Sequence, residues 1–499
     1  ELTIVALVVL PGMFAIWGRI RDRLQRGDRR VLNLAGEVSS HLQETVNGIR
    51  LVKASAAESF ERRRFHDLTQ VYYKSFVRTE RLRALVSPLT ETMGAIGTIL
   101  AFMLLGRSLG VDGYSAYASL YAIISPLVTL SASGVVLAML QHTVSRDEPL
   151  GETARSSVSI VLILGGLLTL GSTLAALLVI DHLSIVAIVS IITIELLTTP
   201  IVLVAATTVQ AADSFTGAAR IRLLLIMGRT VLLVGLFVTD SLTVANLGVA
   251  QLTWSFVLGA VALRRVGRRF GFAPLPGRIH ARHIRTNLAF SAAISADSVG
   301  NDGDKVVLAA NRYVTDTGLY AAAYRIVQLG MVPLGALANT THVQFLRPST
   351  EPRHYLKLAL RYSVVALAYG VVFAIAVIVV APLFPLLVGQ EFEGSVEIVR
   401  WLSPIVLLRG LGLYSLNALL GLGRTGIRTG IVVANAAIGV VLFIVLIPGR
   451  GWEGAAIATL VTEAMQVLMT WSALVVLQAR ADRALDASEG ERHGTSALP

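Results

Sequence analysis

Cysteine is absent from the chain, which excludes disulfides and thiolate metal sites. Charge is scarce: Asp, Glu, Lys and Arg make up 15% of the 499 residues, against about 25% in an ordinary soluble domain. The phosphate-loop pattern GxxxxGKS/T is missing, so the chain does not hydrolyse ATP alone by that route, and HExxH is missing too. No enzyme is expected. The nine histidines are scattered and none pairs at metal-ligand spacing, so neither a metal nor a cofactor is expected. No cleavable signal peptide is evident. The chain opens at Glu1 inside an apolar run, which suggests a start within a longer protein.

What fills the space is hydrophobic, at 54% of residues. Nearly uncharged runs of about 20 residues recur, each long enough to cross about 30 Å of hydrocarbon. The pattern predicts an all-α polytopic membrane protein, with spans near 2–17, 88–106, 114–140, 156–180, 183–209, 220–238, 242–264, 286–310, 319–345, 357–380, 395–421, 427–448 and 453–478. The net charge of +11 could point to nucleic acid, but its distribution argues against that. With the segment after the first span placed in the cytoplasm, 35 of the 43 Lys and Arg fall on the cytoplasmic side. Only Arg107, Arg312 and Arg450 fall outside. This is the positive-inside asymmetry of an inner-membrane protein, with linker and tail cytoplasmic and lipids as its surroundings.

Composition divides the chain into five parts. Residues 1–86 hold one span and a long polar helical stretch, with fifteen Lys and Arg over 18–86. Residues 88–264 and 286–478 hold six spans each. A basic linker, 265–285, lies between them and is marked by Pro274 and Pro276; a polar, frayed tail covers 479–499. The halves carry a faint repeat: YASLY (Tyr117 to Tyr121) in the second span of one, YAAAY (Tyr320 to Tyr324) in the second span of the other. Six spans return the chain to its starting side, so the halves are expected to be parallel repeats with a site between them. Tyrosines are also ordinary interface anchors, and that reading stays open.

The segment 287–310, NLAFSAAISADSVGNDGDKVVLAA, combines flanks suited to a membrane span with Asp297, Asn301, Asp302, Asp304 and Lys305. Each ionised side chain at a bilayer centre costs roughly 2.5–3.5 kcal/mol, so four facing lipid would cost on the order of 10 kcal/mol. The segment is therefore expected to face other helices or a wet cavity. Asp297, Asn301 and Lys305 are four apart and share a face, joined by Asp304. They either fix helix packing as an internal network or line a polar path for a headgroup or coupling ion.

Arg325, beside Tyr324, lies in the next span; Arg229, Arg400 and Arg409 lie in others. A guanidinium keeps its charge and holds phosphate through paired hydrogen bonds. Arg325 and Arg409 are read as cavity groups, Arg400 as snorkelling to an interface, and Arg229 is open between the two. Glu195 and Glu463 are candidate ion-coupling carboxylates, or neutral hydrogen-bonded ones. Pro126, Pro200 and Pro333 are placed to kink spans.

Over about 88–478 the chain resembles the polysaccharide-type, Wzx-like flippases of the multidrug/oligosaccharidyl-lipid/polysaccharide (MOP) superfamily. GRSLGVDGYSAYASLYAIISPLVTLSASGVVLAML and NDGDKVVLAANRYVTDTGLYAAAYRIVQLGMVPLG carry the likeness. The resemblance implies two six-helix lobes around a central cavity, alternating access, and a polyprenyl-pyrophosphate-linked oligosaccharide as cargo. Polysaccharide-assembly proteins would be its partners. Residues 1 to about 105 resemble a different family: ETVNGIRLVKASAAESFERRRF and SPLTETMGAIGTILAFML look like part of the transmembrane domain of an ABC exporter. That implies its fourth span, its cytoplasmic extension and its fifth span, without the ATPase. A lipid-linked oligosaccharide flippase is the expected function. A cation-coupled multidrug exporter and an ABC-derived membrane fragment or non-functional fusion are the alternatives.

Overall fold

The computed structural model describes the backbone of residues 2–84, 86–180, 183–212, 215–273, 276–346 and 353–495, and most of their side chains. Helices form throughout, and no strand occurs among the described residues. They are α1 (Leu2–Asn47), α2 (Glu58–Ala84), α3 (Val86–Val128, continued without a break by the helical segment 129–145), α4 (Leu150–Leu178), α5 (Ile185–Ala211), α6 (Phe215–Val238), α7 (Val244–Phe270), α8 (Ala281–Ala310), α9 (Val314–Leu346), α10 (His354–Val380), α11 (Ser395–Gly421) and α12 (Thr425–Thr495). Residues 479–495, expected to fray, continue α12 as helical backbone, with side chains from 481 onward outside the described set.

Nine helices among the described residues are long and apolar enough to cross a bilayer. Two of these double back. Gly110 in α3 takes φ 68° and ψ −176°, a conformation glycine adopts at no steric cost. Phe102 and Tyr114 would lie about 18 Å apart along a straight helix, yet their ring centroids are 5.1 Å apart. Gly451 makes the same turn in α12 at φ 56°. A Cβ on Gly439 would stand 3.3 Å from the Thr462 methyl, so the arms before and after the turn pack side by side. With both hairpins opened, and with α8 counted despite its charges, twelve crossing arms result. The expected first span, 2–17, is helical backbone whose side chains lie mostly outside the described residues.

α3 to α7 form one lobe and α8 to α12 the other, each around its own apolar core. The lobes meet where the second arm of α3 runs along α8 and α9. The six-residue helix Ile49–Ala54 joins α1 to α2, which pack against each other and carry an Arg83–Asp28 ion pair at 2.9 Å. Leu24 and Ile20 of α1 rest on Ala219, Leu223 and Met227 of α6, so the N-terminal hairpin stands against the first lobe.

The linker closes on that lobe. Gly277 N donates to Arg155 O at 3.1 Å, and Ser159 Oγ donates to Gly277 O at 2.7 Å. Pro274 lies outside the described residues. The end of the molecule bearing the linker is called the linker face here, and the end bearing Gly110 and Gly451 the hairpin face.

Candidate functional site

The seam between lobes combines an apolar cluster, with Phe102 and Val111 of one lobe against Phe384 and Phe392 of the other, with polar contacts at several levels. At the hairpin face Arg107 donates to the carbonyls of Leu386 and Leu387 at 2.8 and 3.2 Å, and Thr315 Oγ1 to Asp112 at 3.2 Å. Midway, Ser125 Oγ donates to Asp302 at 2.6 Å. Below it Ser295 meets Thr129 and Ser291 donates to the Thr129 carbonyl, while Asn287 donates to Leu130 O at 3.3 Å. Gly134 allows this approach: a Cβ there would land on Ser291 Oγ and Asn287 Oδ1. Asn287, Ser291 and Ser295 recur every fourth residue, a spacing that puts these polar groups on one helix face.

The charges of α8 are divided between two surroundings. Lys305 and Asp304 are buried, as is Tyr324, and none of the three lines a cavity described here. Lys305 Nζ donates to Asn301 O at 2.7 Å and to Asp302 and Asp304 at 3.1 Å each, and it sits 3.8 Å from the Tyr324 ring centroid. Thr459 Oγ1 donates to the other Asp304 oxygen at 3.3 Å. Asp304 and Lys305, expected among the substrate-binding residues, thus sit in an internal ionic network in which a carboxylate pair holds the ammonium. Asp302 belongs to the same network and reaches the other lobe through Ser125. Asn301 lines a cavity of about 210 Å³ with Arg409 and Glu463. The Asp297 side chain lies outside the described residues.

Each lobe holds one arginine, one glutamate and one tyrosine together. In the first, Arg229 Nη1 donates to Glu195 at 2.9 Å, Arg229 Nη2 to Thr199 Oγ1 at 2.5 Å, and the Tyr121 hydroxyl to Glu195 at 3.3 Å. In the second, Arg409 Nε donates to Glu463 at 2.6 Å and Nη2 to the Tyr324 hydroxyl at 2.5 Å. Tyr121 and Tyr324 are the second tyrosines of the two repeated motifs. The charges are placed differently: the fourth span carries Glu195 in one lobe and Arg409 in the other, while Arg229 lies in the fifth span of its lobe and Glu463 in the sixth of the other. A π-helical turn, Ile194–Thr198, presents Glu195. Pro200 supplies the cause, since it has no N–H for the carbonyl four residues back. Arg400 is exposed at the hairpin face, as expected of a snorkelling side chain.

Arg325 occupies a boundary. It lines a cavity of about 360 Å³ in the first lobe, together with Tyr114, Tyr117, Tyr121, Glu195 and Arg229. It also lines a cavity of about 530 Å³ walled by Phe102, Leu329, Phe373, Val377 and Phe384. Its Nη1 donates to Gln328 at 2.8 Å, and its Nε stands 3.5 Å from the Tyr114 hydroxyl. A polar chamber and an apolar one thus adjoin at a single guanidinium.

At the linker face, outside the spans, Glu148 lies between His142 and His283 at 2.8 and 2.9 Å. Burial pushes the Glu148 carboxyl up, but hydrogen bonds from His283 and His142 outweigh it and hold the group below its usual range. Burial draws His283 below the usual histidine range against the opposing pull of Glu148. These two histidines are 141 positions apart, which is why spacing alone missed them.

This fold of two helical lobes is that of MOP-superfamily transporters. The chain aligns with an inward-facing multidrug resistance MATE family transporter of that superfamily at a TM-score of 0.65 and 14% identity, over 80% of this chain and 99% of that one. A MOP superfamily transporter from Pyrococcus furiosus, described as having a binding pocket of reverse polarity, aligns at 0.57 and 16% identity over 80% and 96%.

The N-terminus is similar to other proteins. Residues 1–134 match the family model described as the ABC transporter transmembrane region, further than the expected 105. An uncharacterized ABC transporter ATP-binding protein, YknV, of Bacillus subtilis is 36% identical over 98 residues, 20% of this chain and 16% of that protein. An ATP-dependent lipid A-core flippase of Burkholderia orbicola is 30% identical over 133 residues, 26% of this chain and 22% of that one. The chain thus spans about a fifth of the length of these curated relatives.

Proposed function

We propose that the protein carries a lipid-linked anion, a polyprenyl-pyrophosphate oligosaccharide, across the cytoplasmic membrane by alternating access, and that it does no chemistry on its cargo. The observation that carries this reading is the position of Arg325 between an apolar and a polar chamber. A lipid-linked sugar has the same order of parts: apolar chain, phosphates, polar glycan. The chain of the lipid would lie among Phe102, Phe373 and Phe384 and continue into the bilayer. The phosphates would meet Arg325, and the first sugars would stack on the tyrosine wall.

Arg229 and Arg409 would act by exchange. Each is neutralised at rest by Glu195 or Glu463. An incoming phosphate would draw the guanidinium away by charge-assisted hydrogen bonds. The released carboxylate, left without its partner, would then hold a coupling ion. Cargo binding would thereby be linked to ion uptake. Asn301 would contact cargo from the second lobe; Asp297 and Asp302 retain a proposed place beside it, with Tyr324, Asp304 and Lys305 holding the wall from behind.

Charge sign argues against the drug-exporter alternative. The 360 Å³ chamber holds Arg325 and Arg229 against a single carboxylate, Glu195, an excess suited to an anion. The test is Arg325→Ala. Export of lipid-linked glycan should be abolished with membrane insertion unchanged. Full export by that variant, or drug resistance conferred by the wild type without glycan export, would defeat the proposal.

A further inference from the structure

A second constellation lies apart from all three chambers, at the linker end of the seam. His142 stands at the end of the α3 arm, Glu148 in the loop after it, and His283 in the first turn of α8 in the other lobe. One ligand atom from each lies within 4.8 Å of the others, and no other such group of His, Asp and Glu occurs among the described residues. His142 and His283 are 1% and 4% exposed.

The remaining ring nitrogens are also held. His142 Nε2 meets Thr286 Oγ1 at 3.2 Å, and His283 Nδ1 meets Ser156 Oγ at 2.7 Å. Metal-binding imidazoles are oriented in this way, with the nitrogen that does not face the ion fixed by an outer partner. Two imidazoles and a carboxylate are also a recurrent zinc ligand set, with a fourth position open to water.

The distances require little movement. Ligands about 2.0–2.1 Å from a tetrahedral ion stand about 3.3 Å from one another. The imidazole nitrogens lie 2.8 and 2.9 Å from the two carboxylate oxygens, so each pair would part by a few tenths of an ångström, while the two nitrogens, within 4.8 Å of each other, would settle to the same spacing. The exposed Arg282 guanidinium also reaches Glu148, at 3.2 Å.

We propose that His142, Glu148 and His283 bind a divalent transition metal, zinc(II) foremost, as a clamp between the two lobes. Two ligands come from one lobe and one from the other. Bound metal therefore favours the arrangement in which this end of the seam is closed, and it slows any rocking that would part them. The clamp is independent of what the protein carries.

Cobalt(II) is the probe. The full chain, purified through a histidine-free tag and stripped with chelator, should bind one equivalent with the intense visible bands of a four-coordinate site, displaced by zinc(II). His142→Ala and His283→Ala should each abolish those bands. Thr286→Ala and Ser156→Ala, which keep all three ligands, should weaken binding by about 10-fold. His280→Ala should bind as wild type, since that imidazole pairs with Glu152 instead. A wild-type titration without saturable bands would overturn the proposal whatever the variants do. Unchanged bands in both ligand variants, each eluting as a single species, would overturn it equally.

Discussion

A buried charge is retained where its partner is within reach, and Lys305 is the clearest instance. Its ammonium is enclosed by two carboxylates, a carbonyl and an aromatic face. Lys305→Met should leave Asp302 and Asp304 uncompensated and lower stability by about 3–5 kcal/mol, read as a fall in melting temperature of the detergent-purified protein. Arg409→Ala should strand Glu463 in the same way, whereas Arg409→Ala with Glu463→Ala should recover part of the loss. A double variant no better than the single would show that the two groups are not coupled. From sequence alone this segment had to face other helices or a cavity, because the energetic penalty depends only on residue type and depth, while network and path both stayed open. It did not tell Asn301, on a cavity, from Lys305, four residues on and buried. That choice depends on which neighbouring helix brings a partner, and Thr459, Tyr324 and Ser125 come from three different elements.

Single residues control the shape of whole elements here. The turn at 194–198 widens because Pro200 offers no hydrogen-bond donor. Pro200→Ala should let an ordinary α-turn form and rotate Glu195 away from Arg229; the expected outcome is loss of glycan export with normal insertion, and export at the wild-type level would contradict it. Gly134 lets the continuation of α3 lie directly against Asn287 and Ser291 of α8. Gly134→Val should press the lobes apart and cost about 1–3 kcal/mol, measured by thermal unfolding. The sequence placed Pro200 correctly as a distortion, because proline acts locally. It said nothing of Gly134, because a glycine's neighbour across a seam is not written next to it. The spans themselves were legible from apolar run length. The hairpins at Gly110 and Gly451 fall in the short loops expected between spans.

At the scale of the molecule, a two-lobed helical bundle is preceded by a helical hairpin that lies in the stretch similar to ABC transporter transmembrane regions. If the lobes alone carry cargo, a chain lacking residues 1–86 but keeping the span from 88 should export glycan at near wild-type levels. Loss of export with intact insertion would instead make the hairpin a working part, with its exposed Ile49 and Leu51 as a surface for a separate ATPase. The join was visible in sequence as a change of resemblance near residue 105, and the family match to residue 134 shows that the two patterns overlap in the second span. The contact between lobes has one further consequence. It is stitched by hydroxyls, and a hydroxyl both gives and receives. When one lobe tilts against the other, Ser125, Thr129, Ser291 and Ser295 can exchange partners along the stripe without leaving a donor stranded in the dry interior. Such a joint resists separation yet yields to sliding, as a zip fastener does when its runner is drawn.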